Sequence, residues 1–126
     1  VGSEMCIRDS SMTDTLELSR QLNACIKDSE VYKNYQYCKD KLRQKPDKLQ
    51  QLMEFRKKNY EIQNNEMLDN PYDEVNNLFI EYDSIVHDTI VNDFIRAEQK
   101  LVRMMKMVYE QIADDLDFDI IDEDAQ

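Results

Sequence analysis

The sequence predicts an all-α protein, an antiparallel helical bundle with two long helices and shorter N-terminal helices. Three observations predict it. Apolar residues recur at three- and four-residue steps through most of the chain, which is the period of one helical face. The 126 residues include one Gly and two Pro, too few for the φ > 0 positions that tight β-hairpins need or for glycine loops that cradle phosphates. The apolar share of 41% is enough to build a core, so the 34% of charged residues mark solvated faces rather than wholesale disorder.

Residues 1–11 are set apart. Glu4 to Ser10 spells EMCIRDS, which reads as a translated sequencing-library adaptor, and Ser11–Met12 looks like a junction followed by a native start. This segment is expected to be non-native and disordered, and it is excluded from the fold as an expression scar would be. A single helical domain is expected over 12–114, with an acidic tail over 115–126.

Thr13 or Asp14 can cap the first helix, with Glu17 placed for a capping box. Leu18, Leu22, Cys25 and Ile26 then share one face. Asp28 and Ser29 offer a second cap, with Glu30 in the first turn, and Val31, Tyr35, Cys38 and Leu42 follow as a stripe. Lys45–Pro46–Asp47 ends that stripe, because a residue before proline is pushed out of the α region. The first long helix is expected from about Asp47 to Met67. Its Leu49, Leu52, Phe55, Asn59 and Ile62 alternate three- and four-residue steps, a spacing near 3.5 that suits a gently supercoiled pair. Asn70–Pro71 starts another helix, with Asn as cap and Pro at the first helical position. Its stripe is Val75, Leu78, Phe79, Tyr82, Ile85 and Val86. The pattern breaks at His87–Asp88, where Asp88 can cap again. From Thr89 the second long helix carries Val91, Phe94, Leu101, Met105, Val108 and Ile112, with the charged Glu98 inside the stripe, and it fades after Asp114. Stripes this narrow are too exposed to be satisfied within one small chain, so self-association is expected.

The side chains that could do chemistry are few. His87, beside Asp88, is the single histidine. No Ser or Cys nucleophile stands at a family spacing from it, so it reads as a solvated or capping residue. Cys25 and Cys38 are thirteen residues apart, each on an apolar stripe. Zinc and iron–sulfur sites want clustered pairs with further ligands, so both read as small core hydrophobes. The tail from Asp114 to Asp124 lacks the glycine and spacing of a calcium loop. It reads as solvated, or as a short partner-binding segment of alternating acidic and apolar residues. Tyr32, Tyr35 and Tyr37 stand among Lys33, Lys39, Lys41 and Arg43, and aromatics among bases can stack RNA. Against that, the net charge of −11 repels phosphates and anionic membranes. No apolar run reaches the roughly 18 residues of a membrane span, and the expected location is the cytoplasm. The candidate core or interface residues are therefore Leu52, Phe55 and Ile62 in one long helix, and Phe94, Leu101, Met105 and Val108 in the other. No catalytic, cofactor-binding or metal-binding residue is expected.

Several runs in order carry a family resemblance. They are Ser29-Glu30-Val31-Tyr32-Lys33-Asn34-Tyr35, Leu49 to Lys58, Glu61-Ile62-Gln63, and Val91 to Glu98, followed by Leu101 and Ile112. From Leu22 to Ile112 the chain resembles the YlbF/YmcA family of small helical bacterial regulators. The resemblance implies a non-enzymatic, all-α, cytoplasmic protein that self-associates or joins related helical proteins. It implies control of competence, sporulation and biofilm formation, in some members through a complex that directs a membrane-anchored ribonuclease in messenger-RNA maturation. Some members carry cysteines that help hold an iron–sulfur cluster, but this chain lacks the cysteine-rich extension that would supply them. The leading expectation is a regulatory adaptor that works through helix-face contacts without touching nucleic acid; the alternative is a direct RNA-binding protein.

Overall fold

The computed structural model describes residues 2–117, with side chains over 11–117. The described residues form six helices: α1 (Gly2–Asp28), α2 (Glu30–Arg43), α3 (Pro46–Gln63), α4 (Tyr72–Glu81), α5 (Asp83–Val86) and α6 (Thr89–Ala113). The two long helices that the spacing predicts are α3 and α6. The helix ahead of them, α1, is not short. At 27 residues it is the longest of the six, because helical backbone continues to Gly2 through residues expected to lie outside the fold.

Local chemistry sets most of the boundaries. The Ser29 hydroxyl oxygen accepts the Tyr32 N–H at 3.2 Å and opens α2. Lys45 adopts φ −122°, ψ 72° ahead of Pro46, the first residue of α3, as the steric restriction before proline requires. Helix α3 stops at Gln63, four residues short of the expected Met67. Asn64 and Asn65 cause this. The Asn64 side-chain amide donates to the Tyr60 carbonyl at 2.8 Å, and Asn65 Oδ1 accepts the Met67 N–H at 2.9 Å. Both offer the backbone a local alternative to helix. Asn70 Oδ1 takes the Tyr72 N–H at 3.0 Å, so α4 begins just after Pro71 rather than on it. The stripe expected to run unbroken from Val75 to Val86 is split at Tyr82, whose φ −104°, ψ 30° separates α4 from α5.

The main packing is α2 along α6. Tyr35 meets Phe94 with ring centroids 5.7 Å apart, while Val31, one turn earlier, faces Met104 and Val108. The two helices therefore run antiparallel. Helix α3 closes the other side against α4, α5 and the start of α6. Phe55 sits at the centre of that layer, edge-on to Phe79 at 5.3 Å and to Tyr82 at 5.7 Å. The buried core is Cys38, Leu42, Leu52, Leu78, Tyr82, Ile85, Val91, Phe94 and Ala97. Each fully enclosed Leu or Val among them contributes about 1.5–3 kcal/mol. All nine lie between Cys38 and Ala97. Helix α1 contributes none of them, and among the described residues it packs on no helix except α2.

Candidate interaction surface

The sequence-predicted residues divide along this polarity. Leu52 and Phe94 are buried, at 2% and 7% exposure, and Phe55 and Ile62 are half-buried against the core. Leu101, Met105 and Val108 are half-buried on the part of α6 that lies past Ala97. Ile112, on the same stripe, is 56% exposed. Cys25 is corrected: it is exposed, because among the described residues no helix beyond α2 packs on α1, while Cys38 is buried. Leu18, on the same α1 stripe, is 64% exposed.

Two charged contacts explain residues that looked out of place. Glu98 interrupts the α6 stripe because Arg56 of α3 grips it with both guanidinium nitrogens, at 3.1 and 2.5 Å. The same guanidinium lies 5.8 Å from the Phe94 ring centroid. At the entry to α6, Asp88 accepts the Val91 N–H at 2.9 Å and pairs with Lys48 of α3 at 2.5 Å. Burial alone would raise the Asp88 carboxyl pKa. The Lys48 ammonium and the Val91 N–H outweigh burial and hold it below its ordinary value. Asn92 adds a hydrogen bond to the Val86 carbonyl at 3.0 Å. Neither Lys48 nor Arg56 announces itself in sequence, since each meets its partner some forty residues away.

The tyrosine–lysine group is largely occupied. Tyr35 is half-buried against Phe94 with Lys39 5.5 Å from its ring centroid. Lys41 covers exposed Tyr37 at 4.7 Å, and its hydrogen bond to Tyr37 raises its pKa. Lys33 pairs with Asp28 at 3.0 Å and Arg43 with Asp40 at 4.0 Å. His87 Nδ1 lies 3.0 Å from the Asp83 carbonyl oxygen, at the end of α5, and its exposed ring sits beside the Asp83 carboxylate. That is a helix-end contact. Among the described residues no three His, Cys, Asp or Glu side chains converge as a metal would need, and no helix is long and apolar enough to cross a membrane.

What stands uncovered is apolar helix surface. Met12, Leu16 and Leu18 are exposed on α1, and Val102, Met107, Tyr109 and Ile112 on the far half of α6. At 100° per residue, Val102 and Tyr109 fall on one flank of the α6 stripe, and Met104 and Met107 on the other. The methionine flank forms an open groove of about 450 Å³ with Val31, Val108 and Gln111, edged by Lys100 and Arg103. The sequence reading missed this groove; Met104 and Met107 beside the stripe were the available signal.

Comparison with known proteins identifies the family. The model of the family described as "Control of competence regulator ComK, YlbF/YmcA" matches residues 15–117, most of the chain. The chain belongs to the YlbF/YmcA family. It is also 26% identical over 104 residues to a UPF0342 protein of Symbiobacterium thermophilum, covering 81% of this chain and 93% of that protein. No solved structure matches it. As its description states, the YlbF/YmcA family acts in regulation, at the level of competence control. The match ends at residue 117, at the edge of the described residues, so residues 118–126, which hold most of the acidic tail, lie outside both.

Proposed function

We propose that this YlbF/YmcA chain is a non-enzymatic adaptor that joins copies of itself or related helical proteins through the uncovered faces of α1 and α6. One observation carries the reading: apolar side chains stand exposed along α1 and along the part of α6 past Ala97, neither of which holds a buried core residue among the described ones. Exposed apolar surface gathered in one region marks an interaction site, whereas single exposed residues do not. The developmental programmes beyond competence, and a place in a ribonuclease-associated complex that matures messenger RNA, belong to this same reading. In it the chain brings proteins together and leaves the chemistry to its partners.

Light scattering at micromolar concentration tests the core of the proposal. The expected result is a dimer or larger, reduced to monomer by Leu18→Glu together with Val102→Glu, both of them exposed positions. A 15 kDa species from the unaltered protein overturns it. A parallel RNA titration at about 0.15 M salt, where surface charges are screened beyond about 8 Å, is expected to give no measurable affinity. Micromolar binding lost on changing Lys33, Lys39, Lys41 and Arg43 to Ala would replace the adaptor with a direct RNA binder.

A further inference from the structure

Helix α6 carries two apolar rows. One faces α2: Phe94 meets Tyr35, and Met104 and Val108 meet Val31. The other, Val102, Met105, Tyr109 and Ile112, advances by three, four and three residues, the a and d spacing of a coiled coil. Val102, Tyr109 and Ile112 are exposed and Met105 is half-buried. This outer row begins one turn past Glu98, where Arg56 of α3 holds the helix. From Val102 to Ile112 it is about 15 Å long, or three turns.

The two edges of the outer row differ. On the α2 side stand Leu101 and Val108, both half-buried. On the opposite edge stand Lys106 and, one turn on, Glu110, both exposed. Among the described residues neither of these pairs with an opposite charge. The edges of such a row set the choice and direction of a partner helix. In a parallel pair each edge meets the opposite edge of its neighbour, which would lay Lys106 against Leu101 or Val108. In an antiparallel pair like edges meet, and the reversal sets Lys106 of each helix beside Glu110 of the other. The row is therefore complementary to itself under a two-fold axis, as an isologous contact requires. The two charges also cancel, so this edge is neutral in a chain of net charge −11, and copies can meet there without adding acid to acid.

We propose that α6 pairs antiparallel with α6 of a second copy along this row, about a two-fold axis that passes between Met105 and Tyr109. At the centre Met105 packs on Tyr109 of the partner subunit, and Val102 and Ile112 close the ends. Lys106 meets Glu110 of the partner subunit on the solvent edge. The apolar row supplies the affinity and the charge pair sets the direction. No residue of the row belongs to the buried core, so changes in it alter association while the chain's own fold stands. The pairing rests on the adaptor reading and gives its α6 face one occupant and one orientation.

Sedimentation of the full chain at about 0.05 M salt tests it with Lys106→Glu and Glu110→Lys. Both positions are exposed, so the fold is kept. Each change sets like charges against one another across the axis, and each should weaken self-association about tenfold. Exchanging the two charges, Lys106→Glu with Glu110→Lys, should recover it. An equimolar mixture of the two single variants should associate more tightly than either variant by itself. Net charge acting without contact gives a different pattern: Lys106→Glu makes the chain more acidic and weakens association, while Glu110→Lys makes it less acidic and strengthens it. That pattern, or single variants that associate as the unaltered chain does, or an exchanged chain that fails to recover, would overturn the antiparallel pairing while leaving the adaptor reading intact. A monomeric unaltered chain would overturn both.

Discussion

At the scale of single residues, Asp88 joins two roles, capping α6 and tying it to α3 through Lys48. Replacing it with Ala removes the acceptor for the Val91 N–H and should cost about 1 kcal/mol, as loss of an N-cap typically does. In a domain of this size that corresponds to a fall of roughly 4 °C in thermal midpoint. Asp88→Asn keeps an acceptor and loses only the charge, so it isolates the pair with Lys48. Because the folded carboxyl titrates below its ordinary value of 3.8, its charged form stabilises the fold. That contribution is complete above the unfolded value and disappears as pH falls through the lower folded value. The gap in thermal midpoint between the unaltered chain and Asp88→Asn should therefore be flat above about pH 5 and close below pH 3.8. A gap that persists in acid would show that shape, rather than charge, matters at this position.

Among the elements, α6 spans both regimes, and two truncations on its stripe should show it. Phe94→Ala removes a buried ring that touches Tyr35 and lies under Arg56. It should cost about 3–5 kcal/mol and unfold much of the population at ambient temperature. Ile112→Ala, on the same stripe but exposed, should stay within about 0.5 kcal/mol by denaturant titration. Helix α1 poses a related question. It is long, and among the described residues it contributes nothing to the buried core and packs only on α2. Its amides between Met12 and Cys25 should exchange with deuterium far sooner than those of α6 between Val91 and Ala97, since local opening there breaks few tertiary contacts. A chain beginning at Met12 should keep its thermal midpoint within a degree or two. A loss of several degrees would mean that residues 1–11 support the fold.

Most boundaries were legible in the sequence because a cap or a proline states its own geometry. Ser29, Pro46 and Asp88 each act within three or four residues of where they stand. The early end of α3 was hidden because Ile62 continues the stripe while two asparagines compete for the backbone behind it. The break at Tyr82 was hidden because the stripe keeps its period across it. Cys25 was misplaced for a different reason. Periodicity identifies an apolar face but does not say what lies opposite, and among the described residues only α2 packs on α1. Arg56 and Lys48 could not be found at all, since their partners are set by tertiary folding. The candidate surface was half legible: the narrow stripes gave the α6 face, and the groove on its flank needed α2 in place.

For the molecule as a whole, charge and apolar surface act against one another. A net charge of −11 makes copies of the chain repel. If association runs through apolar faces of α1 and α6, added salt should screen the repulsion and tighten it. Sedimentation at about 0.05 and 0.5 M salt should show the oligomer favoured at the higher concentration. An assembly held by ion pairs would respond in the opposite direction, and so would phosphate binding, which weakens as salt rises.

The confinement of the buried side chains, among the described residues, to the stretch from Cys38 to Ala97 also bears on how such a protein can change through descent. Substitutions at Leu18, Val102 or Tyr109 alter what the molecule meets and leave untouched the layer that keeps it folded. A lineage can pass through many versions of these exposed faces one step at a time, each intermediate as durable as its parent. Affinity for a companion can then diverge between sister proteins while the framework beneath it stays the same.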